Sequence, residues 1–296
     1  MNSPEPLIAT EANGVLTLTL QSPPVNALAT PVRLALLHAL THAQNSPDIR
    51  AIVLTGSGTT FSAGADLHEF EQGTALDFPS LHADLAQVLL QLSKPVVAAI
   101  NGLALGGGFE LALWCHARVA VATAKLGLPE TTLGLMPGAG GTQLLPRAVG
   151  LKLALDMVLH GQVHIASDLN RAPLLQQLTA PAELLACSSR LALALAAKGA
   201  PYPHLSACEV DSAEAPALLN AARAVAQASG ELSEGRLCAM DSVAQSLSTP
   251  FAHAVAMEHA RFLALLGSPL SKAIRGRFLA SRTSATRSKH PAVKSQ

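Results

Sequence analysis

Hydrophobic positions in the first 190 residues switch repeatedly between a two-residue and a helical period. GVLTLTL at 14–20 alternates apolar and polar residues, which predicts a half-buried strand. TPVRLALLHALTHAQ at 30–44 has apolar residues at helical spacing after a Thr-Pro start, which predicts a helix. Further predictions are buried strands at 50–58, 94–102 and 116–123, a loop at 61–70, and helices at 81–92 and about 103–115. This alternation predicts an α/β fold with a largely parallel sheet.

The pattern changes after about residue 190. Ala/Leu-rich helical segments follow one another there, separated by Pro, Gly and Ser, so residues 191–296 are predicted to be a helical region attached to a core of residues 1–190. The last 26 residues are basic and contain no acidic residue. They fit a solvated helix with a frayed tail, or a surface that contacts phosphate. For the phosphate contact, Lys272, Arg275 and Arg277 are the best-placed cations.

Composition narrows the function classes. The chain has 296 residues, of which 49% are hydrophobic and 14% charged, and it has no apolar run that spans a bilayer, so a globular protein outside the membrane is expected. Lys and Arg number 20, as do Asp and Glu, so no global charge favours nucleic acid as a partner. Four scattered cysteines and the lack of a secretory signal predict reduced thiols in the cytoplasm.

The segment NGLALGGGFELAL at 101–113 carries the first chemical signal. Its three glycines lie between a predicted strand and a helix, where free N–H groups and the helix dipole can hold an oxyanion. Glu110 lies three residues after Gly107. The alternative interpretation is that the helix N-terminus simply stabilises this carboxylate. The chain contains neither GxGxxG nor a Walker motif at this point, so a dinucleotide site is not favoured.

Two further segments also indicate a catalytic site that includes Glu110. FSAGAD at 61–66 is a second glycine-containing loop after a strand, and LPETTLG at 128–134 places a second carboxylate, Glu130, among apolar residues. Two carboxylates in apolar surroundings can divide acid and base roles. Two backbone donors can stabilise an enolate oxygen.

Other residue types offer weaker candidates. The histidines show no spacing of a zinc site, so no metal is expected. Ser62 does not lie in a GxSxG motif, which disfavours a serine hydrolase. Trp114 and Phe109 could line a ligand tunnel or fill the core.

Taken together, FSAGAD, NGLALGGGFELAL and LPETTLGLMPGAGGTQLLPRAVG resemble the signature segments of the enoyl-CoA hydratase/isomerase (crotonase) superfamily, in the same order. The similarity covers about residues 13–165. SPPVNAL, LPETTLGL and GTQLLPR are most similar to the hydratase part of multifunctional fatty-acid oxidation enzymes, and without a GxGxxG motif no dehydrogenase half is expected. The resemblance implies a crotonase-like ββα spiral core with a C-terminal helical region.

The resemblance also implies residue roles. The backbone N–H groups of Ala65 and Gly107 would form an oxyanion hole for the thioester oxygen, and Glu110 and Glu130 would be the catalytic carboxylates. Ala63, Asp66 and Leu67 would follow the adenine and pantetheine part of CoA, and Gly138 would lie near the water and acyl site. CoA is then part of the substrate, and no separate cofactor is expected.

The implied reaction is reversible syn addition of water to a 2-trans-enoyl-CoA, which gives a 3-hydroxyacyl-CoA. Two alternatives stay open: a Δ3,Δ2-enoyl-CoA isomerase, and a CoA-ester-binding partner protein with little turnover. Free-standing members of the superfamily imply a homo-oligomer, either a trimer or a hexamer.

Overall fold

Two β-sheets form the centre of the fold in the computed structural model, which describes residues 5–74, 78–169, 173–228 and 233–289, with side chains as far as Ser281. In chain order the strands are β1 (Leu7–Ala12), β2 (Val15–Leu20), β3 (Ala51–Gly56), β4 (Thr60–Ser62), β5 (Val96–Ile100), β6 (Leu103–Leu105), β7 (Ala117–Val121), β8 (Lys125–Gly127), β9 (Val163–Ile165) and β10 (Gln177–Thr179).

The larger sheet has the strand order β1-β2-β3-β5-β7-β10, and the smaller sheet has the order β4-β6-β8-β9. Strand β1 pairs antiparallel with β2 and β9 pairs antiparallel with β8, whereas the other pairs are parallel. Every residue of β3, β5 and β7 is buried, as expected for parallel strands covered on both faces. The predicted α/β class, the largely parallel sheet and the four predicted strands are therefore confirmed.

Helices surround these sheets. They are α1 (Thr30–Asn45), α2 (Leu67–Gln72), α3 (Ala86–Gln91), α4 (Gly107–Trp114), α5 (Gly141–Val149), α6 (Leu151–His160), α7 (Leu184–Lys198), α8 (Ala215–Ala228), α9 (Glu234–Gln245), α10 (Phe251–Gly267) and α11 (Pro269–Lys289). A π-helical turn covers Leu81–Leu85, and 3-10 turns cover Pro129–Leu133, Pro181–Glu183 and Leu205–Ala207. Within the described residues, no helix combines the length and apolar character needed to cross a membrane.

Short elements depart from the sequence-based prediction. The predicted loop at 61–70 is wrong in part, because β4 ends at Ser62 and α2 begins at Leu67. The Asp66 carboxylate accepts a hydrogen bond from the His68 amide at 2.8 Å and so starts this six-residue helix. The predicted helix at 81–92 is divided into the π-helical turn and α3.

The C-terminal region is helical where it is described, as predicted. Its helices α9 and α10 add Met240, Val243, Phe262 and Leu265 to the same hydrophobic core as the sheet residues. The predicted boundary at residue 190 stays a prediction, but α10 clearly contributes to the core that supports the candidate site.

One buried cation fixes the helix that carries Glu110. The guanidinium of Arg118 is 1% exposed and donates to the carbonyls of Ala112 at 3.3 Å and Cys115 at 2.8 Å, at the C-terminal end of α4. The last carbonyls of a helix lack the i+4 amide partners of its interior, and a cation suits the negative end of the helix dipole. Arg118 therefore anchors α4 against β7.

Candidate active site

Two backbone segments meet where α4 begins. Strand β6 ends at Leu105, Gly106 turns the chain with φ of 51°, and α4 starts at Gly107. The segment from Ala63 to Asp66 lies directly against this turn, because a Cβ at Gly64 would come within 3.0 Å of the Gly107 nitrogen. Gly64 has φ of +95°, so both its conformation and this close approach require glycine.

The amides of Ala65 and Gly107 are the predicted oxyanion hole. The structure brings them together, since a Cβ at Gly107 would lie 3.6 Å from the Ala65 nitrogen. Among the described residues neither amide has a protein acceptor, whereas neighbouring amides do: Ala63 donates to the Val25 carbonyl and Gly64 to the Ser62 hydroxyl. Two adjacent amides without partners suit a carbonyl oxygen that gains negative charge.

Glu110 lies on α4, three residues after Gly107. The residue is 3% exposed, and Oε1 accepts hydrogen bonds from the amides of Ala139 at 2.8 Å and Gly141 at 2.9 Å. Burial raises the pKa of Glu110 to about 7, although the amide hydrogen bonds act in the opposite direction. Glu110 can therefore exchange a proton near neutral pH.

Glu130 projects from the 3-10 turn that follows Pro129. Its Oε1 lies next to Gly106, at 3.1 Å from the position of a Cβ there. Its Oε2 is enclosed and lacks a hydrogen-bond partner among the described residues. Burial, and then the charge of Glu110, raise the pKa of Glu130 well above its ordinary value. This shift favours the protonated form of Glu130, and the partnerless oxygen is available to a bound molecule.

A third carboxylate, Glu258 on α10, joins this cluster, although the sequence did not point to it. It is fully buried, and its carboxylate accepts from the amides of Gly140 and Thr142 and from the Thr142 hydroxyl. Burial and the charge of Glu110 raise its pKa to about 8. The available signal was the same as for Glu110, a single acid in an apolar helix, FAHAVAMEHARFLALLG.

The remaining predicted contact residues lie around the same place. Ala63, Asp66 and Leu67 belong to the segment between β4 and α2, and Gly138 precedes the amides that bind Glu110. Aromatic groups cover Gly138, because a Cβ there would come within 2.3 Å of the Phe262 ring. The His259 ring, stacked on His82 with centroids 3.2 Å apart, donates from Nδ1 to the Gly138 carbonyl. The substrate-contact roles stay predictions.

Trp114 and Phe109 both fill the core. Phe109 is fully buried, Trp114 is 2% exposed, and the indole N–H donates to the Ala139 carbonyl. Trp114 therefore supports the segment that holds Glu110. As for metals, the described residues contain no group of three or more His, Cys, Asp or Glu side chains that could hold an ion.

The C-terminal cations differ in whether they are buried or exposed. The expectation that Arg275 meets phosphate is wrong, because its guanidinium is buried and pairs with Glu71 on α2 at 3.2 Å. The pair instead links α11 to the helix that follows the Ala65 segment. Lys272 and Arg277 are exposed on α11. The side chains of Arg282, Arg287, Lys289 and Lys294 lie outside the described residues.

The raised pKa values predict a pH-dependent stability. Because the folded-state pKa of Glu110 is about 7, against an ordinary value of 4.5, its contribution is present below pH 4.5 and is lost as pH rises through 7. Relative to a Glu110→Gln variant, the wild type should lose about 3 kcal/mol of unfolding free energy between pH 4.5 and 8. Urea unfolding of both proteins at each pH measures this. A difference that does not change with pH would contradict the assigned burial of the Glu110 charge.

Comparison with known proteins gives a consistent result. The sequence model described as enoyl-CoA hydratase/isomerase matches residues 10–224. The chain is 38% identical, over 282 residues, to a peroxisomal fatty acid beta-oxidation multifunctional protein of Oryza sativa subsp. japonica, covering 92% of this chain and 38% of that one. It is 44% identical, over 195 residues, to the multifunctional protein AIM1 of Arabidopsis thaliana, covering 64% and 27%. The chain thus spans less than half the length of these curated relatives.

A solved structure extends the comparison to the fold. The enoyl-CoA hydratase from Mycobacterium tuberculosis H37Rv aligns with a TM-score of 0.62 and 28% identity, covering 89% of this chain and 100% of that chain. The expected similarity to the crotonase superfamily and its fold is therefore confirmed.

Proposed function

The chain belongs to the enoyl-CoA hydratase/isomerase family, and we propose that it adds water reversibly to a 2-trans-enoyl-CoA to form a 3-hydroxyacyl-CoA. One observation carries the proposal: two partnerless amides, at Ala65 and Gly107, adjoin two carboxyl groups that have different surroundings. Glu110 has one oxygen held by two amides, while Glu130 has an enclosed oxygen without a partner. Such a difference separates acid and base roles.

The reaction follows from these positions. The Ala65 and Gly107 amides bind the thioester oxygen and stabilise the enolate-like charge, which in comparable sites contributes about 3–4 kcal/mol per donor. Ionised Glu110 takes a proton from water as the water oxygen bonds to C3. Protonated Glu130 gives its proton to C2 on the same face. Proton exchange with solvent then returns both carboxyl groups to their starting states.

Loss of the enoyl-thioester ultraviolet absorbance tests this function. Purified protein is mixed with crotonyl-CoA and with longer 2-trans-enoyl-CoA esters, and a decrease in absorbance that depends on protein concentration is the expected result. Tight binding without any decrease would favour the CoA-ester-binding alternative. A product without the 3-hydroxyl group would favour isomerisation.

Substrate binding also requires cationic surface for the phosphates of CoA, since the net charge of the chain is zero. We propose that the exposed Lys272 and Arg277 on α11 contribute to it. An exposed ionic contact is worth about 0.2–1 kcal/mol and is screened by salt.

A double variant tests this surface. Lys272→Ala with Arg277→Ala should raise KM for the enoyl-CoA about two- to tenfold at low salt, with kcat almost unchanged, and the difference should shrink at high salt. Steady-state kinetics at two salt concentrations measure it. An unchanged KM at low salt would leave this stretch as a solvated helix face.

The wider setting of the activity is also a proposal. We propose a cytoplasmic homo-oligomer, a trimer or a hexamer, with CoA as part of the substrate and no separate cofactor. The names of these relatives place those proteins in fatty acid beta-oxidation, and we propose fatty acid metabolism for this chain on that basis.

A further inference from the structure

Four consecutive amides, from Ala139 to Thr142, are divided alternately between two carboxylates. The amides of Ala139 and Gly141 donate to Glu110 at 2.8 and 2.9 Å. The amides of Gly140 and Thr142 donate to Glu258, the latter at 2.8 Å. The segment therefore lies between Glu110 on α4 and Glu258 on α10, with one carboxylate on each side.

These amides need acceptors because they lie at the start of α5, where the first N–H groups of a helix have no partner inside the helix. Glu258 supplies acceptors on the side away from Glu110 and also binds the Thr142 hydroxyl. Without Glu258, two buried amides would lose their partners, and the segment would be free to reorient. Reorientation would move the two amides that hold Glu110.

The same helix holds the segment at its other end. The His259 ring donates to the Gly138 carbonyl at 3.1 Å, and the Phe262 ring lies against Gly138. Helix α10 thus fixes both ends of residues 138–142. A helix far along the chain therefore controls the geometry around Glu110.

Glu258 also interacts electrostatically with the acids of the candidate site. Glu110 on α4 and Glu130 on the 3-10 turn are the acids that interact with Glu258, and His259 adjoins it on α10. Other charged groups on the packed elements have other partners: Arg147 on α5 donates to the Gln143 and Ser246 carbonyls, Asp241 on α9 pairs with Arg223, and Arg261 on α10 donates to Gln245. Beyond the effect of burial, the charge of Glu110 therefore raises the pKa of Glu258, and Glu258 in turn contributes to the raised pKa of Glu130.

We propose that Glu258 is a positioning residue for hydration: it fixes, from the far side, the amide segment that holds Glu110. The inference rests on the hydratase function proposed above. The hydrogen bonds of Glu258 go to Gly140 and Thr142, so it acts through the segment.

The test uses Glu258→Gln, which removes the charge and one acceptor oxygen. We expect kcat to fall about tenfold or more, because small displacements of a reacting group are costly, and KM to stay within about twofold. The acidic limb of the kcat/KM profile should keep its wild-type position, because Glu258, with a pKa of about 8, is still protonated where Glu110 ionises.

Two further variants complete the test. Glu258→Asp keeps a carboxyl group but reaches less far, so kcat should fall while the acidic limb stays at its wild-type position. Ser242→Ala removes the hydroxyl that contacts Thr142 Oγ1 at 2.7 Å and leaves both amide bonds to Glu258, so kcat and the limb should be unchanged. A folded Glu258→Gln protein with wild-type kcat would overturn the proposal, as would an equal fall in kcat in Ser242→Ala. If Glu258→Gln does not fold, an unchanged kcat in Glu258→Asp would overturn it.

A measurement without substrate keeps this inference separate from the proposed function. Relative to Glu258→Gln, the wild type should lose stability as pH rises from 5 to 9, because the folded-state pKa of Glu258 is about 8. Absence of hydration in the wild type would remove the hydratase function but leave this slope. Hydration in the wild type, with equal slopes and equal kcat in both proteins, would remove the role of Glu258 alone.

Discussion

Replacement of Glu110 or Glu130 by glutamine should lower hydration of crotonyl-CoA by about 100-fold or more, with binding of the CoA ester nearly unchanged. Each glutamine is close in size to glutamate but can neither take the proton from water nor supply one to C2, and general acid–base transfer is typically worth about 10²–10⁴ in rate. Steady-state rates and equilibrium binding of a 3-hydroxyacyl-CoA measure the two quantities separately.

The two substitutions also differ in a way that the structure explains. Glu110→Gln can keep the hydrogen bonds from Ala139 and Gly141 with its amide oxygen. In Glu130→Gln, the side-chain amide can replace the Oε2 atom, which has no protein partner to lose. Both should therefore fold, and unfolding curves provide the check. Near-normal turnover in either folded variant would contradict the assignment of two catalytic carboxylates.

Gly107→Ala should lower kcat by about 10²–10³, as much as the loss of one oxyanion-hole donor, because the thioester oxygen could no longer reach both amides. The new methyl group meets only ordinary contacts with the protein, Leu81 at 3.5 Å and the Ala65 nitrogen at 3.6 Å, so the fold should tolerate it. The methyl group would nevertheless occupy the space between the two amides where the thioester oxygen is expected.

Gly276→Ala provides the matched control. Gly276 lies on α11 and a Cβ there meets no atom within 4 Å, so the same chemical change should leave the rate unchanged. Hydration rates and thermal unfolding of both variants complete the test. A folded Gly107→Ala protein with the wild-type rate would contradict an oxyanion hole at this position.

The sequence predicted the parts of the molecule that depend on local pattern. Strands β2 and β3 and helix α1 follow from hydrophobic periodicity, because one buried face imposes it on neighbouring residues. Strand β1 escaped prediction because only Leu7 in it is buried, so LIATEA shows no alternation. Helix α2 escaped because six residues are too few to establish a helical period.

The candidate site was also predicted only in part from the sequence. Glu110 and Glu130 were predicted from their apolar surroundings and the family resemblance, and the structure places their segments together. Glu258 binds amides that are 118 and 116 residues away, and Arg275 pairs with Glu71 across 204 residues. Pairings at such separation leave no signal in the local sequence pattern. The sequence therefore does not distinguish the buried Arg275 from a solvent-facing charge on a helix.

Isotope transfer into the product tests the central claim most directly. The wild-type protein and its Glu110→Gln and Glu130→Gln variants are incubated with crotonyl-CoA in deuterated water enriched in ¹⁸O, and the product is examined by mass spectrometry. For the wild type, the account predicts a 3-hydroxybutyryl-CoA that carries ¹⁸O at C3 and one deuterium at C2. Each variant should form this product at a rate about 100-fold lower, or less. A wild-type product with deuterium but no ¹⁸O, or equal ¹⁸O incorporation in all three proteins, would contradict it.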